Sequence, residues 1–240
     1  MLASSLFLLL FSCAQKKDVD DLDARLKALE EKVTKLESSK GGGAAAAAAN
    51  PEEEQAASKL MQESQEAMKS NDYATAKSKL SEICSKFPAS RACKASDKLL
   101  KEVSLIGASA APMEVEKWFQ GKADYSGSKA TLIVFFESWC PHCKEEMPKL
   151  AEEEGKYKSK GIQIVGMTKV TRSSTDEKVT EFLKEHKVSF PVGKEKDGNL
   201  SNGFAVTGIP AAALVKDGKV IWRGHPARLN DELIDKLLAG

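Results

Sequence analysis

The run Thr131-Leu132-Ile133-Val134-Phe135-Phe136 leads, after two residues, into Trp139-Cys140-Pro141-His142-Cys143 and then Lys144-Glu145-Glu146-Met147-Pro148-Lys149-Leu150. The apolar run predicts a buried strand and the charged segment a helix, so the two cysteines stand at the helix start. Free backbone N–H groups and the helix macrodipole favour an anion there, and the thiolate is the species that attacks disulfides. The second cysteine, one turn later, is placed to close on the first and release a substrate. A strand that delivers Cys-x-x-Cys to a helix start therefore reads as a dithiol redox site.

Other readings fit less well. A structural zinc site needs a second ligand pair, and Cys84 and Cys93 have no histidine near them. A permanent staple across so short a loop would remove little unfolded-chain entropy. The only histidines are His142, His186 and His225, and the last two read as surface residues. The expectation is therefore no metal, and no cofactor beyond the Cys140–Cys143 pair itself.

Outward from the pair, short strands alternate with helices from residue 111 on. Residues 114–120 read as a first strand, 161–167 as a second buried one, and 176–187 as a helix with Val179, Phe182 and Leu183 inward. The strands 211–215 and 220–222 flank Lys216-Asp217-Gly218-Lys219, an Asp-Gly hairpin, and 229–238 is a closing helix. A parallel βαβ unit followed by an antiparallel hairpin predicts an α/β class with a mixed central sheet flanked by helices.

Residues 111–240 resemble the thioredoxin-fold proteins, and among these the TlpA/ResA-type exported thiol–disulfide oxidoreductases. The likeness rests on Trp139-Cys140-Pro141-His142-Cys143 with Glu146 and Pro148, on Val206-Thr207-Gly208-Ile209-Pro210 ahead of a strand, and on the 216–219 hairpin with Gly224. It implies a thioredoxin fold, Cys140 as the exposed nucleophile and Cys143 as the resolving thiol. It also implies a cis Ile209–Pro210 bond facing the cysteines. A cis proline would turn the backbone of residue 209 outward, so that an extended substrate segment pairs beside Cys140. Ile209 and Pro210 form that substrate side together with Trp139, which is more a packing lid than a binding aromatic. Glu146 matches the family's acid three positions after the second cysteine, where it would move the Cys143 proton; a solvated helix-face acid is the other reading. Thioredoxin keeps a buried acid in the strand six residues before its first cysteine. Val134 stands there in this chain, which leaves Glu146 as the expected acid.

His142 bears on the direction of electron flow. An imidazole between the cysteines would stabilise a Cys140 thiolate and make the disulfide more oxidising, and Cys-Pro-His-Cys is also the choice of the DsbA-type oxidases. The TlpA/ResA resemblance points to reduction. Peroxidase chemistry of the peroxiredoxin class would need a Thr-x-x-Cys context, which is absent.

Residues 52–107 read as a helical hairpin-like domain. Pro51-Glu52-Glu53-Glu54 is a good helix start, with proline in the first turn and acids at the positive end. Ala56, Leu60, Ala67 and Met68 fall on one side. Asn71-Asp72-Tyr73-Ala74, continuing to Phe87-Pro88, resembles the second half of a tetratricopeptide repeat; one unit does not make a solenoid. A third helix covers 90–103. Cys84 and Cys93, at facing helix ends, are expected to form a structural disulfide, as suits an oxidising compartment; two buried free thiols are the alternative.

The first residues carry location. Leu6-Phe7-Leu8-Leu9-Leu10-Phe11 is too short to span a bilayer and has the length of a signal-peptide core. With Leu10-Phe11-Ser12-Cys13 resembling the bacterial lipobox, 1–12 reads as a lipoprotein-type signal peptide and Cys13 as the lipidated residue; plain secretion with Cys13 unmodified stays open. Within 13–40, Val19, Leu22, Leu26, Leu29, Val33 and Leu36 alternate gaps of three and four. That is a coiled-coil seam over 18–37 supported by Arg25–Glu30 and Lys32–Glu37 pairs, and it predicts a homo-oligomer, dimer or trimer. A single amphipathic helix is the other reading. Gly41-Gly42-Gly43 and the alanines after it make 41–51 a linker.

With 36 basic and 35 acidic residues in 240, the net charge of +1 gives no sign of nucleic-acid binding. The sequence thus predicts a lipid-anchored bacterial envelope protein exchanging disulfides with exported proteins, recharged by a membrane thiol-electron donor or acceptor. The alternatives are an oligomeric isomerase or oxidase, and a non-catalytic scaffold that uses the helical domain.

Overall fold

The computed structural model describes residues 50–239. The signal peptide, Cys13, the seam over 18–37 and the linker up to residue 49 lie outside the described residues.

Three helices come first: α1 Pro51–Lys69, α2 Tyr73–Lys86 and α3 Arg91–Ser104. Each begins on a side chain that accepts a free backbone N–H: Asn50 from Glu53 with a reciprocal capping box, Asp72 from Thr75, and Ser90 from Cys93. Asn71 closes the first turn with φ 61°, a conformation that asparagine tolerates. Ala57, Ala67, Met68, Ala76, Leu80, Ile83, Ala92 and Val103 form the helical core. In α1 it is Ala57, not Ala56, that is fully buried. Cys84 and Cys93 are bonded, with their Cα atoms 4.7 Å apart, which ties the last turn of α2 to the first of α3. No helix among the described residues is long and apolar enough to cross a membrane.

The rest is a six-stranded sheet: β1 Val115–Gln120, β2 Ala130–Phe135, β3 Ile162–Thr168, β4 Val192–Glu195, β5 Ala211–Lys216 and β6 Lys219–Gly224, in the order β1-β4-β3-β2-β5-β6. β2, β3 and β4 run parallel; β5 pairs antiparallel with β2, β6 with β5 and β1 with β4. This is the mixed α/β sheet that the alternation of elements predicts, in the thioredoxin fold that the family resemblance implies. β2 is buried along its whole length because both faces are covered. Leu132 and Val134 join the core under α4 Pro141–Ser159, α5 Asp176–Glu185 and α7 Asp231–Ala239, while Ile133 and Phe135 join Leu200 and Phe204 of the α6 Asn199–Gly203 side.

Asp217 and Gly218 turn the hairpin with φ 51° and 72°, as a two-residue primed turn requires. Two elements were not expected from the sequence, the four-residue β4 and the short α6. The closing helix starts at Asp231 rather than 229, after a 3-10 turn Pro226–Arg228 capped by the His225 side chain.

Candidate active site

β2 ends at the sheet centre and feeds Phe136-Glu137-Ser138-Trp139 into the start of α4. Cys140 is the N-cap, its backbone extended and its side chain free of any capping bond; Pro141, His142 and Cys143 form the first turn. Proline suits that position because its missing N–H is unpaired there anyway. Cys140 and Cys143 are free thiols. The Cys140 thiol faces the Ile209 carbonyl at 3.8 Å, and the Ile209–Pro210 bond is cis. Residues 69 positions apart in the chain are thus brought into contact.

The expectation of an exposed Cys140 is corrected. It is only 4 % exposed against 0 % for Cys143, because the 206–210 loop folds over the thiol. Burial pushes the Cys143 thiol well above its usual range; a hydrogen bond with the Glu137 backbone opposes this, and the neighbouring Cys140 adds to it. The buried thiol is therefore held protonated while its partner faces the loop.

The other expected residues fall as follows. His142 is exposed on the first turn of α4. Glu146 is buried, and Lys149 is its ion-pair partner at 3.9 Å. Trp139 is half-buried with the Arg172 guanidinium 4.0 Å from its ring centroid. His225 lies at the surface, whereas His186 is half-buried: its ring packs 4.5 Å from Phe182 and its Nε2 is buried without a partner. The cause is its place at the C-terminus of α5, whose apolar face carries it inward. Arg223 is also buried; it donates to the carbonyls of Phe204, Ala212 and Gly224 and so fixes both ends of the proline loop.

One acid was missed. Glu137, three residues before Cys140, is 5 % exposed. Its carboxylate accepts from the backbone N–H groups of Lys169 and Thr171 at 3.2 Å and from the Thr171 hydroxyl at 3.1 Å. Glu146 is thus not the only acid close to the cysteines. The signal in the sequence was a carboxylate at the end of an otherwise apolar strand. Among the described residues no cluster of His, Cys, Asp or Glu is arranged to hold a metal.

A thiol pair at a helix start, facing a cis-proline loop across a thioredoxin-type sheet, has counterparts among known proteins. Residues 109–223 match the AhpC/TSA family model. These residues are thus similar to the AhpC/TSA proteins. Relatives of the chain include the thiol-disulfide oxidoreductase ResA of Bacillus thuringiensis subsp. konkukian, 34 % identical over 48 % of this chain and 64 % of that protein. The sporulation thiol-disulfide oxidoreductase A of Bacillus subtilis is 28 % identical over 36 % of this chain and 53 % of its own length. The chain therefore spans less than two thirds of the curated relatives it matches. A solved structure described as a thioredoxin-like protein in the oxidised form is 25 % identical over 54 % of this chain and 96 % of its own, with a TM-score of 0.47.

Proposed function

We propose that the AhpC/TSA-like domain is a thiol–disulfide oxidoreductase of the ResA type that reduces disulfides in exported proteins. The observation that carries this is the Cys140 thiol at the start of α4, facing Ile209 beside the cis proline. A Cys140 thiolate attacks one sulfur of a substrate disulfide, so a Cys140–substrate bond forms and the other substrate sulfur leaves as a thiolate and takes up a proton. Cys143 gives up its own proton and attacks the Cys140 sulfur, which closes the Cys140–Cys143 disulfide and releases the second substrate thiol. The domain is oxidised by two electrons and the substrate disulfide becomes two thiols. Glu146, the buried carboxylate nearest to Cys143 in the chain, is the group that takes its proton.

His142, exposed between the cysteines, favours a second reading in which the same steps run backwards as oxidase or isomerase. A reduction potential near the roughly −120 mV of strong oxidases, rather than near the roughly −270 mV of thioredoxin, would overturn the reductive direction. A lipid anchor at Cys13, self-association through 18–37, a membrane thiol-electron donor and a place in the bacterial envelope belong to this proposal on the sequence alone.

Trapping tests the enzyme. A Cys143→Ala variant should accumulate mixed disulfides through Cys140 with envelope proteins, detected on non-reducing gels and lost in Cys140→Ser/Cys143→Ala. If none forms in cells and the purified variant does not couple to a disulfide-bonded protein, the scaffold reading replaces this one.

A further inference from the structure

Beside Cys140 lies a cleft of about 380 Å³, walled by Trp139, Thr171 and Arg172 on one side and Val206, Gly208 and Ile209 on the other. We propose that this cleft selects disulfide-bearing segments with acidic residues beside the cysteine, through Arg172 and Lys98, and that Glu137 is the residue that positions Arg172. The inference rests on the oxidoreductase reading and names its substrate class.

Arg172 is exposed, yet its guanidinium is stacked on Trp139, the residue before the first cysteine. It is held there by an unusual backbone. Val170 and Arg172 have φ of 59° and 58°, a region costly for residues with a Cβ and most of all for a β-branched one. Something must hold the loop in that shape, and three successive side chains do so. Glu137 takes the N–H groups of Lys169 and Thr171 and the Thr171 hydroxyl. The Ser138 hydroxyl meets the Ser174 hydroxyl at 2.5 Å. Trp139 lies under Arg172. The segment that leads to the nucleophile and the loop that walls the cleft are fastened together residue by residue.

The second cation comes from the helical part of the chain. A Cβ placed on Gly208 would lie 3.6 Å from the Lys98 Nζ, so α3 sets this lysine against the loop that carries Ile209. Among the described residues neither Arg172 nor Lys98 enters an ion pair.

Acids are also present. Glu137 and Glu195 line the cleft, but they are 5 % and 2 % exposed and their oxygens are turned onto donors, Glu195 onto the backbone and hydroxyl of Ser201. Asp97 is exposed beside Lys98, and Glu102 acts on the buried Arg223. The floor is thus satisfied, one wall carries Arg172 without an ion-pair partner, and Lys98 stands against the loop that forms the other wall. Cations without ion-pair partners beside a cleft attract an anionic segment and repel a cationic one.

The test uses the full chain and a pair of peptides that differ only in Asp or Lys on either side of one cysteine, each blocked as the mixed disulfide with 2-mercaptoethanol. Cys140 bonds to the peptide sulfur, mercaptoethanol leaves as a thiolate and takes a proton, and Cys143 closes to release the peptide thiol. Rates are expressed relative to the same variant's rate with bis(2-hydroxyethyl) disulfide, which carries no charge. Exposed charge pairs are individually weak, so the reduced wild type should prefer the acidic peptide by about fivefold at low salt, the preference fading as salt is raised.

Arg172→Glu should invert the preference and Lys98→Ala should reduce it. Glu137→Gln, and Thr171→Val as the milder variant should the first fail to fold, should reduce it in the same sense as Arg172→Glu; Thr171→Val, which keeps the Glu137 charge, should do so without moving the reduction potential. Equal rates for the two peptides in the wild type, or an unchanged preference in Arg172→Glu, overturn the proposal. A shifted potential in Thr171→Val, or an unchanged preference in both Glu137→Gln and Thr171→Val, overturns the positioning role. A wild type inert toward all three disulfides overturns the oxidoreductase reading itself, and this inference with it.

Discussion

The two cysteines of the pair differ by burial and by what each thiol faces. Cys140 lies against a carbonyl of the proline loop, while Cys143 sits wholly inside the core. Burial raises the Cys143 thiol above its ordinary value of 9.0, so the folded protein keeps this proton at a pH where the unfolded chain has released it. The stability this gives is fully present below the unfolded pKa and is lost as pH rises beyond it. The reduced protein should therefore lose stability above about pH 9 more steeply than Cys143→Ala, while the buried tyrosines contribute equally to both. Urea midpoints of the two reduced proteins between pH 7 and 10.5 measure it; parallel curves would count against the account. At this scale the cysteines were legible because the motif is local. Glu137 was not, because a single acid after an apolar run has no periodicity to announce burial, and its donors lie more than 30 positions away in the chain.

Elements with a pattern of their own were legible. The continuous apolar run of β2, the Asp217-Gly218 turn and the inward Val179, Phe182 and Leu183 of α5 all carry their geometry in a few neighbouring residues. β4 does not. Val192-Gly193-Lys194-Glu195 is short and half charged, and it becomes a strand only because β3 and β1 pair with it from both sides, with Lys194 bonded to Glu116 and Glu195 to Ser201. Gly193 is the point where β1 comes closest: an added Cβ would lie 2.7 Å from a Val115 methyl and 3.2 Å from the Trp118 ring. Gly193→Ala should cost about 1–3 kcal/mol, as overpacking does, and should loosen β1 before the rest of the sheet. Hydrogen exchange of residues 115–120 would show this; protection equal to that of wild type would refute it.

Residues 50–239 belong to one compact unit in which the helices and the sheet share contacts. Residues 107–110 run along the outer edge of β6, with hydrogen bonds from Gly107 to Val220, from Val220 to Ala108 and from Ala110 to Gly218. Lys236 of α7 reaches the Ser70 carbonyl at 3.4 Å. The Cys84–Cys93 bond holds α3, and with it Lys98, in register. Closing a loop of nine positions should be worth about 2–3 kcal/mol by the chain-entropy estimate. The Cys84→Ser/Cys93→Ser variant should therefore melt roughly 5–10 °C lower while still exchanging with a small disulfide. A melting point equal to that of wild type would mean that the bond constrains nothing that folding needs.

The sequence by itself determined the dithiol, its place between a buried strand and a helix, the mixed sheet and the helical segment ahead of it. Each of these is written in adjacent residues whose spacing fixes local geometry. Only the tertiary structure decided what surrounds the pair: the Ile209 carbonyl against Cys140, the grip of Glu137 on residues 169–171, Arg172 over Trp139 and Lys98 beside Gly208. Those contacts join positions about 30 to 110 residues apart. They arise from how the sheet orders its strands and where the helices come to rest on it, and no local periodicity encodes that.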